Sequence, residues 1–299
     1  MHIADAAAAA VRRDGIGTVG LLGTARTMAE PFMRIGFPAT PRSQHRGALV
    51  PGAPPQLLGQ GNHCAMLEQG YLEVLGIFDR SLPTPAQQYL DKYEGPHIIA
   101  MRPDTAERAV ALAASGAPLD PPRELGREVP FGPQGTEQRR VDFRNFRFRA
   151  DRFPEATFFF TQHLTRDVMW QPHLLTHPNG ARRLARAYLF STDPAGTAQR
   201  MGELLGVEAV ADGAGGHRFT FGNSSLRVLS AAGLQRLFPD AVVPATSRPI
   251  GYAVAVESLD AVAALLAANA VAFQRGEGGG LVVPPASACG NFFHFIEGS

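Results

Sequence analysis

The sequence predicts an α+β protein that contains four copies of one βαβββ unit, and three observations support this prediction. A short apolar strand, a helical segment and further strands follow one another four times along the 299 residues. Three of the four helical segments end at a glycine, a residue that favours helix C-termini: Gly36, Gly116 and Gly206. A unit that recurs in this way indicates an internal repeat. Because the first two units are longer than the last two, the repeat predicts two domains of two units each.

The first two units form the predicted first domain. Unit one holds a strand, a helix, a Pro/Gly-rich loop and two strands joined by a turn at Gln69-Gly70: Thr18–Leu22, Arg26–Arg34, Pro38–Gly61, Asn62–Leu67 and Gly70–Ile77. Unit two begins with the strand His97–Met101, continues with the Ala-rich helix Thr105–Ser115 and ends with the strand Thr157–His163.

The last two units form the predicted second domain. Unit three begins with the strand Ala187–Phe190 and the helix Pro194–Leu205, and unit four with the strand Gly251–Val256 and the helix Leu259–Asn269. The turn His177-Pro178-Asn179-Gly180 lies between the halves. The resulting division is a lead-in over residues 1–14, a first domain over 15–165, a connecting segment over 166–186 and a second domain over 187–299.

Composition limits the classes of partner and location. The net charge is +1, which disfavours a polyanion, and no apolar run is long enough to span a membrane. The six arginines among residues 139–152 favour a strand with a solvated face over a nucleic-acid surface. Only two cysteines occur and no CxxC, which predicts a reducing, cytoplasmic location. We therefore expect a small-molecule partner, no nucleic acid and no membrane, and a homodimer is left open.

Two stretches of the sequence resemble a known superfamily. Residues 157–182 read TFFFTQHLTRDVMWQPHLLTHPNGAR, and residues 70–77 read GYLEVLGI. Both resemble phrases of the glyoxalase-like branch of the vicinal-oxygen-chelate superfamily, which includes glyoxalase, bleomycin-resistance and extradiol dioxygenase proteins. The resemblance implies that the βαβββ modules pair into two open, curved half-barrel sheets around cavities.

The resemblance also implies a site in the first domain. Metal ligands of the superfamily lie on the first and last strands of a module, and these positions hold Glu73, His97 and His163, with no ligand at Gly17 or Thr18. Two histidines and one carboxylate suit iron(II) and other divalent metals, so the implied cofactor is Zn, Fe, Mn or Ni, or no metal at all. Glu73 is also the implied catalytic residue. The residues predicted to contact the substrate are Tyr71, Phe159, Thr161, Trp170 and His177.

Each of these side chains also has a purely structural interpretation. Glu73 could pair with Arg147 or Arg149, His97 could bond to backbone at a strand start, and His163 could cap a strand end. For His177 a plain β-turn is favoured over a substrate contact. In the second domain the corresponding positions offer only one ligand, His294, which predicts a structural domain.

Two functions follow from the resemblance. The first is a divalent-metal-dependent lyase, isomerase or dioxygenase, in which the metal acts as a Lewis acid on vicinal oxygens of a small substrate. The alternative is a metal-free protein of the same fold that binds or sequesters a small molecule in an apolar pocket. The sequence does not decide between an enzyme and a binding protein.

Overall fold

The computed structural model describes residues 16–24, 31–38, 40–50, 53–102 and 106–298, with side chains omitted for 16–24 and 106–109. The predicted lead-in over residues 1–14 and most of the predicted helix Arg26–Arg34 lie outside the described residues. Residues 31–34 of that helix are helical.

The first half of the chain forms one eight-stranded sheet. Its strands are β1 (Ile16–Thr24), β2 (Ser43–Gly47), β3 (Gln56–Met66), β4 (Tyr71–Ile77), β5 (Gly95–Met101), β6 (Arg123–Phe131), β7 (Glu137–Arg147) and β8 (Thr157–His163). Their order in the sheet is β2-β3-β4-β1-β5-β8-β7-β6. The first strand of each unit is parallel to its last strand, and the two first strands, β1 and β5, pair antiparallel.

The second half repeats this topology in a sheet of its own. Its strands are β9 (Ala181–Phe190), β10 (Val210–Ala211), β11 (His217–Phe221), β12 (Ser224–Leu229), β13 (Arg248–Val256), β14 (Gln274–Arg275), β15 (Leu281–Val283) and β16 (Phe292–Glu297). The order β10-β11-β12-β9-β13-β16-β15-β14 matches the first sheet strand for strand. The predicted α+β fold of four βαβββ units paired into two curved sheets is therefore confirmed.

Helices connect the strands and cover the sheets. They are Gln87–Leu90, Ala106–Ala114, Arg166–Met169, Pro194–Leu205, Ala231–Leu237 and Leu259–Ala268, with short 3-10 turns at Pro172–Leu174, Glu277–Gly279 and Pro285–Ser287. Asp193 caps Pro194–Leu205 by accepting a hydrogen bond from the Gly196 amide at 3.0 Å. The same helix ends at Gly206 in the left-handed conformation, φ 61°, as a glycine C-cap predicts.

Each sheet buries one face against the other half of the chain. The main apolar cluster joins Phe37 and Phe158 from the first half to Leu189 and Phe293 from the second. The rings of Phe37 and Phe293 lie 5.3 Å apart. A shared core of this kind keeps the two sheets packed on one another and leaves the opposite, concave face of the first sheet free to line a cavity.

The segment between the two sheets is ordered and short. It carries the helix Arg166–Met169, a 3-10 turn and the turn at His177–Gly180, and β9 then begins at Ala181, six residues before the start of the predicted strand Ala187–Phe190. Gln69, in the β3–β4 turn, also bridges to Arg183 of β9. No helix in the described part of the chain is long and apolar enough to cross a membrane.

Candidate functional site

The concave side of the first sheet encloses a cavity of about 240 Å³. The sheet curls until its two edge strands, β2 and β6, approach each other, so the cavity is walled by strands that are far apart in the sheet order. Its apolar wall comes from Leu58, Leu75, Ile98, Leu125, Phe143, Phe159 and Met169. A cavity of this size suits a small molecule.

The structure brings five predicted residues to this cavity. Tyr71 and Glu73 line it from β4, and Phe159, Thr161 and His163 line it from β8. Side chains two residues apart on a strand point to the same face, so the alternation along β4 and β8 accounts for both groups.

His97 lies on the other side of the sheet. Ile98, the next residue on the strand, and Ala100, two residues further along, both line the cavity. Because successive side chains of a strand point to opposite faces, the side chain of His97 points away from the cavity. The ring is buried, stacks on Tyr93 at a centroid distance of 3.8 Å and donates from Nε2 to the Tyr93 carbonyl at 2.9 Å. The prediction that His97 shares a site with Glu73 and His163 is corrected by this geometry, which agrees with the backbone-bonded interpretation.

Trp170 and His177 do not line the cavity either. The indole of Trp170 packs behind His163 at 5.0 Å between ring centroids and donates from Nε1 to the Leu67 carbonyl at 2.9 Å. His177 is buried between the halves, bonded through Nε2 to the Met66 carbonyl and packed on Phe37. Its role is to hold the turn at the junction, so the predicted substrate contact is replaced by a structural one.

The residues present do not fit the predicted three-ligand metal centre. Of the predicted ligands, Glu73 and His163 line the cavity and His97 is on the opposite face. His45 also lines the cavity and adds a further ligand-type side chain. Across residues 16–24, 31–38, 40–50, 53–102 and 106–298, no three His, Cys, Asp or Glu side chains lie close enough to hold one ion. A divalent site normally needs at least three protein ligands.

Four polar residues of the cavity were not predicted from the sequence: His45 and Arg46 on β2, Arg127 on β6 and Asn145 on β7. The predicted metal ligands lie on the first and last strands of the units, whereas these residues lie on middle and edge strands. His45 falls in the predicted loop Pro38–Gly61, at a break in the β2–β3 register between Gln44 and Arg46. Such bulges re-aim a side chain, and no local sequence signal marks this one.

Four side chains of the cavity wall carry a buried polar atom that has no hydrogen-bond partner among the described residues. These atoms are His45 Nε2, Arg127 Nε, Asn145 Oδ1 and His163 Nδ1. Buried polar atoms are nearly always paired, because an unpaired one costs about 1–3 kcal/mol. Four such atoms therefore lie in the wall of this one cavity.

The cavity holds both neutral and charged groups. Burial, with smaller contributions from Arg166, Arg102 and Arg127, lowers the pKa of His163 to about 4. Burial also lowers the pKa of His45, although the nearby Glu73 opposes the shift. Both imidazoles are therefore neutral at pH 7 and can act as hydrogen-bond donors or acceptors. None of the ion pairs among the described residues includes Glu73, and Arg149, one of its two predicted partners, pairs with Asp151 instead.

His163 is oriented by Tyr71. The Tyr71 hydroxyl lies 3.3 Å from His163 Nε2, and the two rings meet edge to face at 5.7 Å. When the hydroxyl donates to Nε2, the hydrogen of the neutral imidazole sits on Nδ1, the atom without a protein partner. His163 can then donate one hydrogen bond to an oxygen of a ligand.

The second sheet fills the corresponding space with its own side chains. Arg227 on β12 is buried and pairs with Asp212 and Glu277. The Tyr188 hydroxyl and His294 Nδ1 are 2.8 Å apart beneath them. The charge of Arg227 is therefore neutralised by the chain itself, and the structural role of the second half stays a prediction.

Comparisons with known proteins agree with this architecture. The family described as "Glyoxalase-like domain" matches residues 19–205, which cover the first sheet and the start of the second half. No curated protein matches the chain. A solved structure of a hypothetical protein from Staphylococcus aureus has a TM-score of 0.62 and 10% identity, with 94% of this chain and 98% of that chain covered.

Two further solved structures share the fold. A xylose isomerase-like TIM barrel/4-hydroxyphenylpyruvate dioxygenase fusion protein matches with a TM-score of 0.57 and 13% identity, over 96% of this chain and 49% of that one. A triple mutant of 4-hydroxymandelate synthase from Streptomyces coelicolor matches with a TM-score of 0.54 and 11% identity, over 96% and 93%. At these identities the likeness concerns the fold. The family match over most of the chain, together with the paired βαβββ sheets, shows that this protein belongs to the glyoxalase-like domain family of the vicinal-oxygen-chelate superfamily.

Proposed function

We propose that the cavity of the first sheet binds a small oxygen-bearing molecule and catalyses a proton transfer of the lyase or isomerase type, with Glu73 as the base. The observation that carries the proposal is the set of four buried, unpartnered polar atoms around one cavity that also contains a carboxylate. General acid–base chemistry needs a carboxylate beside donors that can stabilise a developing negative charge.

The roles follow from the chemistry of the side chains. Glu73 accepts a proton from a substrate carbon next to a carbonyl group, and the electron pair moves onto the carbonyl oxygen. Donors of the wall, above all His163 through Nδ1, hydrogen-bond that oxygen as its negative charge develops. In a 2-hydroxy carbonyl substrate, the hydroxyl proton moves to the former carbonyl oxygen and Glu73 returns the carbon-bound proton to the former carbonyl carbon. The hydroxyl group becomes the new carbonyl group, so the substrate is isomerised without gain or loss of protons or electrons.

Metal-dependent chemistry is the less favoured form of this proposal. Lewis-acid catalysis by Zn, Fe, Mn or Ni, or dioxygenase chemistry, would need a centre that the described residues do not assemble. The chemistry proposed above uses only side chains of the chain itself.

A second candidate is a metal-free protein that binds or sequesters a small molecule. The apolar wall formed by Leu75, Phe143, Phe159 and Met169 favours it, because such a wall can hold a ligand without any catalytic group. The two candidates differ in one property: a binding protein takes up its ligand without exchanging any of its protons.

Deuterium exchange separates the two candidates. The purified protein is incubated in heavy water with hydroxyacetone, dihydroxyacetone and glyceraldehyde, and NMR follows deuterium incorporation next to the carbonyl group. We expect exchange that Glu73→Gln slows by about 100-fold or more. Glu68→Gln, in the exposed β3–β4 turn, is the matched control and should exchange at the wild-type rate. Equal rates in wild type and Glu73→Gln would contradict the proposal, and binding without exchange would favour the second candidate.

A further inference from the structure

We infer that the molecule bound in this cavity carries a carboxylate group, and that Arg127 is the residue that binds it. The inference rests on the proposed small-molecule site and names the chemical class of its ligand. Arg127 lies on the edge strand β6, where the curl of the sheet brings it opposite β2 and His45, and its side chain lines the cavity.

Glu73 is the one carboxylate in the described cavity wall, and it forms no ion pair with Arg127. No ion pair among the described residues includes it, and its Nε has no hydrogen-bond partner there. It lies against the thiol of Cys64, whose pKa burial and Glu73 raise to about 12, so the sulfur is neutral. Its aromatic neighbour, the ring of Phe143, is 5.8 Å away. A partly buried cation that forms no ion pair favours an anion in the adjoining space.

The second sheet shows how this chain treats an arginine that has no ligand to bind. Arg227 points into the corresponding interior, and two carboxylates of the chain itself, from Asp212 and Glu277, neutralise it. Arg127 is the contrasting case, because it lines a cavity of about 240 Å³ and forms no ion pair with a carboxylate of the described residues. An arginine left without a protein carboxylate beside a cavity is suited to receive the carboxylate of a ligand.

The cavity favours a carboxylate over a phosphate. A guanidinium group matches the two oxygens of a carboxylate with two parallel N–H donors. Glu73 lines the same cavity, and its negative charge would oppose a phosphate dianion more strongly than a monoanion. The apolar wall of Leu125, Phe143 and Phe159 then accommodates the remainder of a small carboxylic acid.

Benzoate and benzamide test the inference, because they have nearly the same shape and differ in charge. Trp170 is the only tryptophan and contacts His163 and Tyr71 behind the cavity wall, so its fluorescence reports binding. We expect wild-type protein to bind benzoate about tenfold or more tighter than benzamide at millimolar concentrations. Arg127→Gln should abolish this preference, and Arg127→Lys should restore part of it, since lysine keeps the charge and loses the two-pronged geometry.

Two controls separate this inference from the proposed function. Arg123→Gln changes an exposed arginine on the same strand and should keep the wild-type preference. Glu73→Gln stops proton exchange but should keep or strengthen the preference, because it removes a negative charge that opposes an anion, so the two proposals fail independently. The inference is overturned if benzoate does not bind, if it binds no better than benzamide, or if the preference survives in folded Arg127→Gln. Tighter binding of inorganic phosphate than of benzoate would overturn the choice of a carboxylate.

Discussion

Substituting His97 by glutamine should make the protein less sensitive to acid. Burial lowers the pKa of His97 from 6.5 to about 4, an effect that its hydrogen bond to Tyr93 only partly offsets. Between these two values the unfolded chain binds a proton that the folded chain does not, so the free energy of unfolding falls as the pH falls. For one such histidine the loss between pH 7 and pH 5 is about 2 kcal/mol.

The His97→Gln variant keeps a donor for the Tyr93 carbonyl and removes the titration. At pH 7 we expect it to be about 1 kcal/mol less stable than wild type, because it loses the ring stacked on Tyr93. At pH 5 the difference should vanish or reverse, since wild type has lost about 2 kcal/mol that the variant keeps.

Urea denaturation at a series of pH values measures the effect. His173→Gln, which changes an exposed histidine, is the control and should follow the wild-type curve at every pH. Parallel curves for wild type and His97→Gln would refute the reasoning. Because His97 lies outside the cavity, the variant should also bind benzoate like wild type, whereas a metal ligand at this position would change the site.

Two further predictions concern ions in the interior. Arg227→Met should lower the free energy of unfolding by about 3 kcal/mol at pH 7, because Asp212 loses its ion-pair partner and Glu277 keeps only Arg186, at 3.7 Å. The exposed Arg218→Met should have little effect. Burial raises the pKa of Glu277, but Arg227 outweighs this effect, so the pKa in the folded protein is lower than the ordinary value of 4.5. The stability difference between wild type and Arg227→Met should therefore shrink as the pH falls below 4.5. A difference that does not depend on pH contradicts this account. Dialysis against EDTA should leave the melting temperature unchanged, since the described residues gather no three ligands, and a fall of several degrees would show a structural metal.

The two halves of the chain show one topology with two different interiors. In the first sheet the space inside the curl is a cavity with polar atoms that lack protein partners. In the second sheet Arg227, Glu277 and Asp212 fill the corresponding region with ion pairs. A duplicated fold can therefore keep a ligand site in one copy and use the other for packing, because the same strands carry different side chains.

The sequence by itself determined the features that depend on neighbours along the chain. The recurrence of strand, helix and strands predicted the four units, because each unit is built from local periodicity and helix-ending residues. Alternation along β8 placed Phe159, Thr161 and His163 on one face, and the structure confirms that all three line the cavity. Glu73 was implied instead by the resemblance of residues 70–77 to a phrase of the superfamily.

The tertiary structure decided which faces and which distant strands meet. His97 lies near the start of a strand as predicted, but the pairing of β5 turns its side chain to the face opposite Glu73. A shift of one residue in strand register exchanges the two faces of a strand, and the sequence does not fix that register. A bulge aims His45 inward, and the curl of the sheet brings β6 with Arg127 to the edge strand β2. Curl and bulge arise from the packing of the whole sheet, so no local pattern in the sequence records them.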